Sequence, residues 1–185
     1  MAIKTFTTGE VLTAADTNTY LANSGLVFVA KTTFTTSSLP FINGCFSSEY
    51  QNYKITMNLS TSASTTVRWR LRYGTSTVES GAVYDRFGFN VSAGVISNDS
   101  FTGGNSCPLV GTGLGASNVA PVVLDIFAPN ETVNTVSLPR SWNTSSGANQ
   151  FLSLRMNTTT AYTGFEIFPD TGTITGSIKV YGYRD

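Results

Sequence analysis

The chain has 185 residues, of which 41% are apolar and 12% aromatic but only 12% charged, with 11 basic side chains balancing 11 acidic ones. That length suits one domain around one core, and the apolar share argues against disorder. Zero net charge gives no support to a nucleic-acid or anionic-membrane partner, and a chain without histidine lacks the commonest general base, the serine-hydrolase relay and the commonest metal ligand.

The opening MAIKTFTTGE has one lysine and no apolar run, so no secretory signal is expected. The longest uninterrupted apolar run, Leu26 to Ala30, is too short to cross a membrane. Between Thr13 and Asn23, the residues Ala14, Ala15, Asn18, Leu21 and Ala22 recur at three- and four-residue spacings, and Thr13 with Asp16 can form a capping box. A helix of about three turns is predicted. Its narrow, alanine-rich stripe would be marginal alone in water, so it is expected to dock on something.

From Gly25 the period changes to two. Leu26 and Phe28 alternate with Val27 and Val29, and the run ends in KTTFTTSS. In NYKITMNLS, Tyr53, Ile55, Met57 and Leu59 share one face; in TTVRWRLRYGT, Val67, Trp69, Leu71 and Tyr73 oppose Arg68, Arg70 and Arg72. Joined by STSAST, these two runs read as an antiparallel hairpin with one face in a core.

Further strands are expected around 82–91, 119–127, 132–138, 150–156, 164–168 and 173–183, separated by the turn-rich SNDSFTGGNS, APNE, NTSSGAN and PDTG. About eight or nine strands without a fixed-period repeat predict an all-β, jelly-roll-like antiparallel β-sandwich. The expected organisation is an N-terminal arm with a short helix over 1–24 and a sandwich over 25–185.

Composition leaves one enzymatic class open, a glycosidase with two carboxylates, but the acids are scattered and define no pair in sequence. The glycine-rich LVGTGLGASN runs on into a strand-like segment with Pro121 and reads as a loop rather than a phosphate cradle. Six Asn-x-Ser/Thr triplets, at Asn58, Asn90, Asn98, Asn130, Asn143 and Asn157, are read as unglycosylated in a chain so rich in Ser and Thr. Neither a metal nor another cofactor is expected.

Arg68, Arg70 and Arg72 line one strand face and could hold a phosphate, a carboxylate or a neighbouring subunit's acids. The structural reading pairs them instead with Glu79, Asp85 or acids on adjacent strands. In the terminal SIKVYGYRD, Tyr181 and Tyr183 oppose Ile178 and Val180, where they could stack on sugar rings or be covered by a subunit or loops. Cys45 and Cys107 could pair, but two free buried thiols are the expectation for a reducing compartment.

The opening TTGEVLTAADTNTYLANSGLVF resembles the leader of many tailed-bacteriophage structural proteins, those described as minor tail, tail-fibre-like or virion proteins. The segments FSSEYQNYKITMNLS, RWRLRYG, YTGFEIFP and TGTITGSIKVYGYRD resemble the β-sandwich that often follows it. The resemblance implies a non-enzymatic virion protein made in the host cytoplasm, either a capsid decoration or cement protein or a tail adaptor. Its arm would dock through Val11, Leu12, Ala15, Tyr20 and Leu21 on major capsid or tail subunits. A symmetric homo-oligomer, by preference a trimer, is implied as well. With neither a coiled-coil stalk nor a depolymerase-like repeat, a compact protein is favoured over a long fibre. The alternative is a carbohydrate-binding adhesin of the tail or fibre, meeting a host-surface glycan through Trp142, Tyr181, Tyr183 and the polar loops around Asn98 and Asn143.

Overall fold

The computed structural model of the chain describes residues 7–11, 13–16, 25–115 and 118–184. Of the predicted helix, α1 (Ala14–Asp16) lies within that range. Val11 and Ala15 are exposed, whereas Leu12, Tyr20 and Leu21 of the expected docking set lie outside the described residues.

From Gly25 onward the described residues are strand and turn. In order come β1 (Leu26–Ser37), β2 (Phe41–Ile42), β3 (Asn52–Thr61), β4 (Thr65–Tyr73), β5 (Thr77–Val78), β6 (Tyr84–Ser92) and β7 (Val95–Gly104). They are followed by β8 (Cys107–Leu114), β9 (Val119–Phe127), β10 (Val136–Asn143), β11 (Ala148–Met156), β12 (Gly164–Pro169) and β13 (Ile174–Tyr183). All pairings are antiparallel.

Eight strands form a jelly roll, with β1-β13-β3-β9 in one sheet and β2-β12-β4-β8 in the other. Two hairpins are inserted in this frame: β6–β7 between β4 and β8, and β10–β11 between β9 and β12. Both join the free side of β9, so the first sheet grows to eight strands in the order β1-β13-β3-β9-β10-β11-β6-β7. The short β5 pairs with β4 in the smaller sheet.

The expected β3–β4 hairpin is not formed. β3 pairs with β13 and β9, while β4 pairs with β12, β5 and β8 in the other sheet. The alternation identifies the buried face of each strand correctly, but those faces meet across the sandwich: Tyr53, Ile55 and Leu59 are fully buried on β3, as are Val67, Trp69 and Leu71 on β4. Trp69 meets Phe165 of β12 edge-on at 6.5 Å between ring centroids. Leu124, Ile126, Ile167, Ile178 and Val180 complete the centre of this core.

Two segments read as turn or loop are strands. SNDSFTGG lies in β7, laddered to β6, and LVGTGL lies in β8, laddered to β4. Their Gly, Ser and Asn residues have weak strand preference, and pairing with a neighbour overrides it. The strand expected over 132–138 begins instead at Val136 and continues through Pro139 to Asn143. Its ladder to β11 skips Leu138 and Pro139, in keeping with proline's missing N–H. Cys45 and Cys107 are free and buried, and burial pushes both thiols up to about 12.

Candidate functional site

The inserted hairpins carry the first sheet past β8, which packs mainly on β10 and only lightly on β11 and β6. The inner face beyond that edge changes character along each strand. On β11, Leu154 and Met156 enter the core, but Gln150 occupies the next inward positions toward the strand start after Leu152. Ser141 and Asn143 on β10, Asn90 on β6, and Ser97 and Asp99 on β7 continue the polar surface. Pro108 and Gly111 of β8 and Arg68 of β4 form the opposite wall, and the cleft between them has a volume of about 400 Å³, within the range of about 300–1,000 Å³ common for small-ligand sites.

A chain of hydrogen bonds organises the floor. Arg86 donates from Nε to Asp99 Oδ1 at 2.6 Å, and Gln150 donates from Nε2 to Asp99 Oδ2 at 3.2 Å. The second bond sets the orientation of the Gln150 carboxamide and so the position of its oxygen. Oε1 is buried and accepts from no protein donor among the described residues. At the rim, Asn143 Oδ1 accepts from the backbone N–H groups of Ser145 and Ser146 at 3.0 and 3.4 Å, which shapes the β10–β11 turn.

The cleft continues beyond Arg86. That guanidinium lies 5.4 Å from the centre of the half-exposed Phe101 ring, and a second groove of about 570 Å³, lined by Phe101, Asn105 and Ser106, shares Arg68 and Arg86 with the first.

Of the site residues singled out from sequence, Arg68 and Asn143 line the cleft and the others fall elsewhere. Arg68 binds Asp170, with Nε–Oδ1 at 2.6 Å. Arg70 and Arg72 both bind Glu166, at 2.9 and 2.5 Å, beneath the rings of Phe168 and Phe41. Acids of β12 and the turn after it thus neutralise the stripe, while Asp85 pairs with Arg155. Tyr181, on the outer face of β13, meets Phe28 edge-on at 5.9 Å. Tyr183 donates to Asp125 Oδ1 at 2.5 Å, beside Lys54 on the same carboxylate. Trp142 projects from the outer face of β10, separated from β13 by β3 and β9. That is three strand spacings, about 14 Å, so the three aromatics do not converge. Asn98 also faces outward, opposite Phe89, whereas Asn143 lines the cleft.

The outer face of the eight-stranded sheet bears a second feature. Phe89 stacks on Phe151 at 5.2 Å, and with Phe87 and Leu138 these side chains line a groove of about 340 Å³ that also contains Arg140. Arg140 is exposed and has no ion-pair partner among the described residues.

No protein-family model and no curated protein matches the chain. Among solved structures, a fructofuranosidase from Schwanniomyces occidentalis in complex with fructosylnystose aligns at 9% identity and a TM-score of 0.33, over 84% of this chain and 33% of its own. The present chain thus spans about a third of that enzyme's length, and a likeness this weak carries no argument about activity.

Arg86, Asp99, Gln150 and Phe101 were not singled out from sequence. One local signal was available: Gln150 sits in phase with Leu152, Leu154 and Met156, a polar group at an otherwise apolar inward position.

Proposed function

We propose that this chain is a non-enzymatic structural protein of a tailed-bacteriophage virion, a decoration, cement or tail-adaptor protein that joins the particle through its N-terminal arm and seats a neighbouring subunit on the outer face of its larger sheet. The placement in a virion rests on the resemblance of the leader. The observation that carries the assembly role is Arg140, set among Phe87, Phe89, Leu138 and Phe151 with no acidic partner among the described residues. Arginine among exposed aromatics is the composition of interface hot spots. The surface that fits it is apolar around a carboxylate. In a homo-oligomer such as a trimer, repeated weak contacts of this kind add through multivalency.

A binding role fits the inner cleft better than hydrolysis. Glycosidic cleavage by carboxylates needs two across the bond. Among the described residues that line the cleft, Asp99 is the one carboxylate, and Arg86 and Gln150 already engage both its oxygens.

The test is incorporation into particles. Removal of residues 1–24, or Arg140→Glu in the full chain, is expected to leave a cooperatively folded protein that no longer sediments with virions. Normal incorporation of both folded variants would sink the proposal.

A further inference from the structure

We infer that the inner-face cleft beside Gln150 binds an uncharged saccharide. The site is built rather than incidental: Gln150 is 6% exposed, its amide nitrogen is committed to Asp99, and its oxygen is left facing inward with no protein donor among the described residues. A buried acceptor of this kind costs stability unless something donates to it.

That requirement selects the ligand chemistry. A phosphate or carboxylate at neutral pH offers acceptors only, and it would face the Asp99 carboxylate as well as the Gln150 oxygen. The basic groups at hand do not offset this, because Arg86 is paired with Asp99 and Arg68 with Asp170. A hydroxyl both donates and accepts. With a small turn of the buried Gln150 carboxamide it can give its proton to Oε1 and take one from the asparagine and serine groups of the walls, of which Asn90, Ser97 and Ser141 face the cleft. A molecule dense in hydroxyls satisfies several of these at once.

The shape extends the argument from one sugar to several. The second groove shares Arg68 and Arg86 with the first, so the surface is elongated, and half-exposed Phe101 lies along it. Arg86 lies over this ring, 5.4 Å from its centre, and the exposed half of the ring offers apolar surface to the C–H side of a pyranose. This site is on the opposite face of the sheet from Trp142, so it is independent of the outer-face docking proposed above.

Full-length protein, coupled in many copies to fluorescent beads so that weak contacts register, would be passed over an array of immobilised neutral and acidic oligosaccharides. A retained neutral oligosaccharide would then be titrated into isotope-labelled protein. Retention of at least one neutral glycan is expected, with shifts at the side-chain amides of Gln150 and Asn90. Gln150→Met is expected to weaken binding by about tenfold or more while the protein still unfolds cooperatively in urea, since loss of the unpaired buried oxygen offsets part of the lost bond from Nε2 to Asp99. Gly111→Leu, filling the cleft from the β8 wall, is expected to produce the same loss, and Trp142→Ala to bind as the parent does. Retention of no glycan, retention of acidic glycans alone, or neutral binding that survives both cleft variants would overturn the inference.

Discussion

Arg72 and Glu166 form a buried ion pair between β4 and β12, with Nη1 and Oε2 2.5 Å apart and the glutamate side chain 1% exposed. Arg70 closes on the other carboxylate oxygen, so one acid serves two guanidinium groups. Removing it strands both. Glu166→Gln keeps the shape but not the charge, and a loss of about 3–5 kcal/mol in urea unfolding is expected. Replacing all three residues by apolar side chains of similar size should recover much of that stability. An unchanged midpoint for Glu166→Gln would show that the pair contributes nothing net.

Gly164, opposite Arg72 on β12, allows β2 to approach closely. A Cβ there would lie 2.1 Å from the carbonyl oxygen of Ile42, and a backbone atom cannot swing aside as a side chain can. Gly164→Ala is therefore expected to destabilise the fold by about 1–3 kcal/mol, read as a lower urea midpoint, with the β2–β12 amides losing hydrogen-exchange protection.

Acid should weaken the inserted β6–β7 hairpin through Asp85. The Arg155 guanidinium, and then the backbone N–H of Gly103, hold its carboxyl below the usual aspartate range. A folded-state value below the unfolded one stabilises the protein above the unfolded pKa, and that stability is lost as pH falls through the folded value. Asp85→Asn is expected to lower stability near neutrality and to flatten the decline that begins at about pH 4 in the parent. Parallel decline of the two proteins in a series of urea midpoints would contradict this.

Cys45 and Cys107 should behave as inert core groups. With both thiols pushed up to about 12 by burial, almost no thiolate exists near neutrality. Native protein exposed to iodoacetamide at about pH 8 is expected to gain no adduct within the time that denatured protein gains two, as counted by mass spectrometry. Rapid labelling of folded protein would mean that the core opens around β8 or the loop after β2.

How much of this was legible beforehand follows from what is local and what is not. The inward faces of β3, β4 and β13 could be read directly, because alternation at period two is a property of a few adjacent residues and needs no knowledge of the partner. The same locality explains why the sequence of β7 reads as turn: its serines, asparagines and glycines have weak strand preference, and its ladder to β6 exists only once the hairpin has joined the sheet. Strand partners follow from closure of the whole sandwich, so β3 and β4, adjacent in sequence and alike in pattern, end in different sheets.

Composition and local alternation establish an all-β, charge-poor chain without histidine, and the buried faces of β3, β4 and β13. Where the polar groups meet is set by the packing of the two sheets. Arg86, Asp99 and Gln150 come from three strands, and no spacing along the chain marks them as neighbours. They converge because two hairpins extend one sheet beyond the cover of the other, leaving inward positions that the core does not claim. The arginine stripe shows the reverse case: its spacing was plain in sequence, but pairing with β12 supplied the carboxylate that neutralises Arg70 and Arg72, because counter-charges on a sheet are set by register between strands and not by order along them.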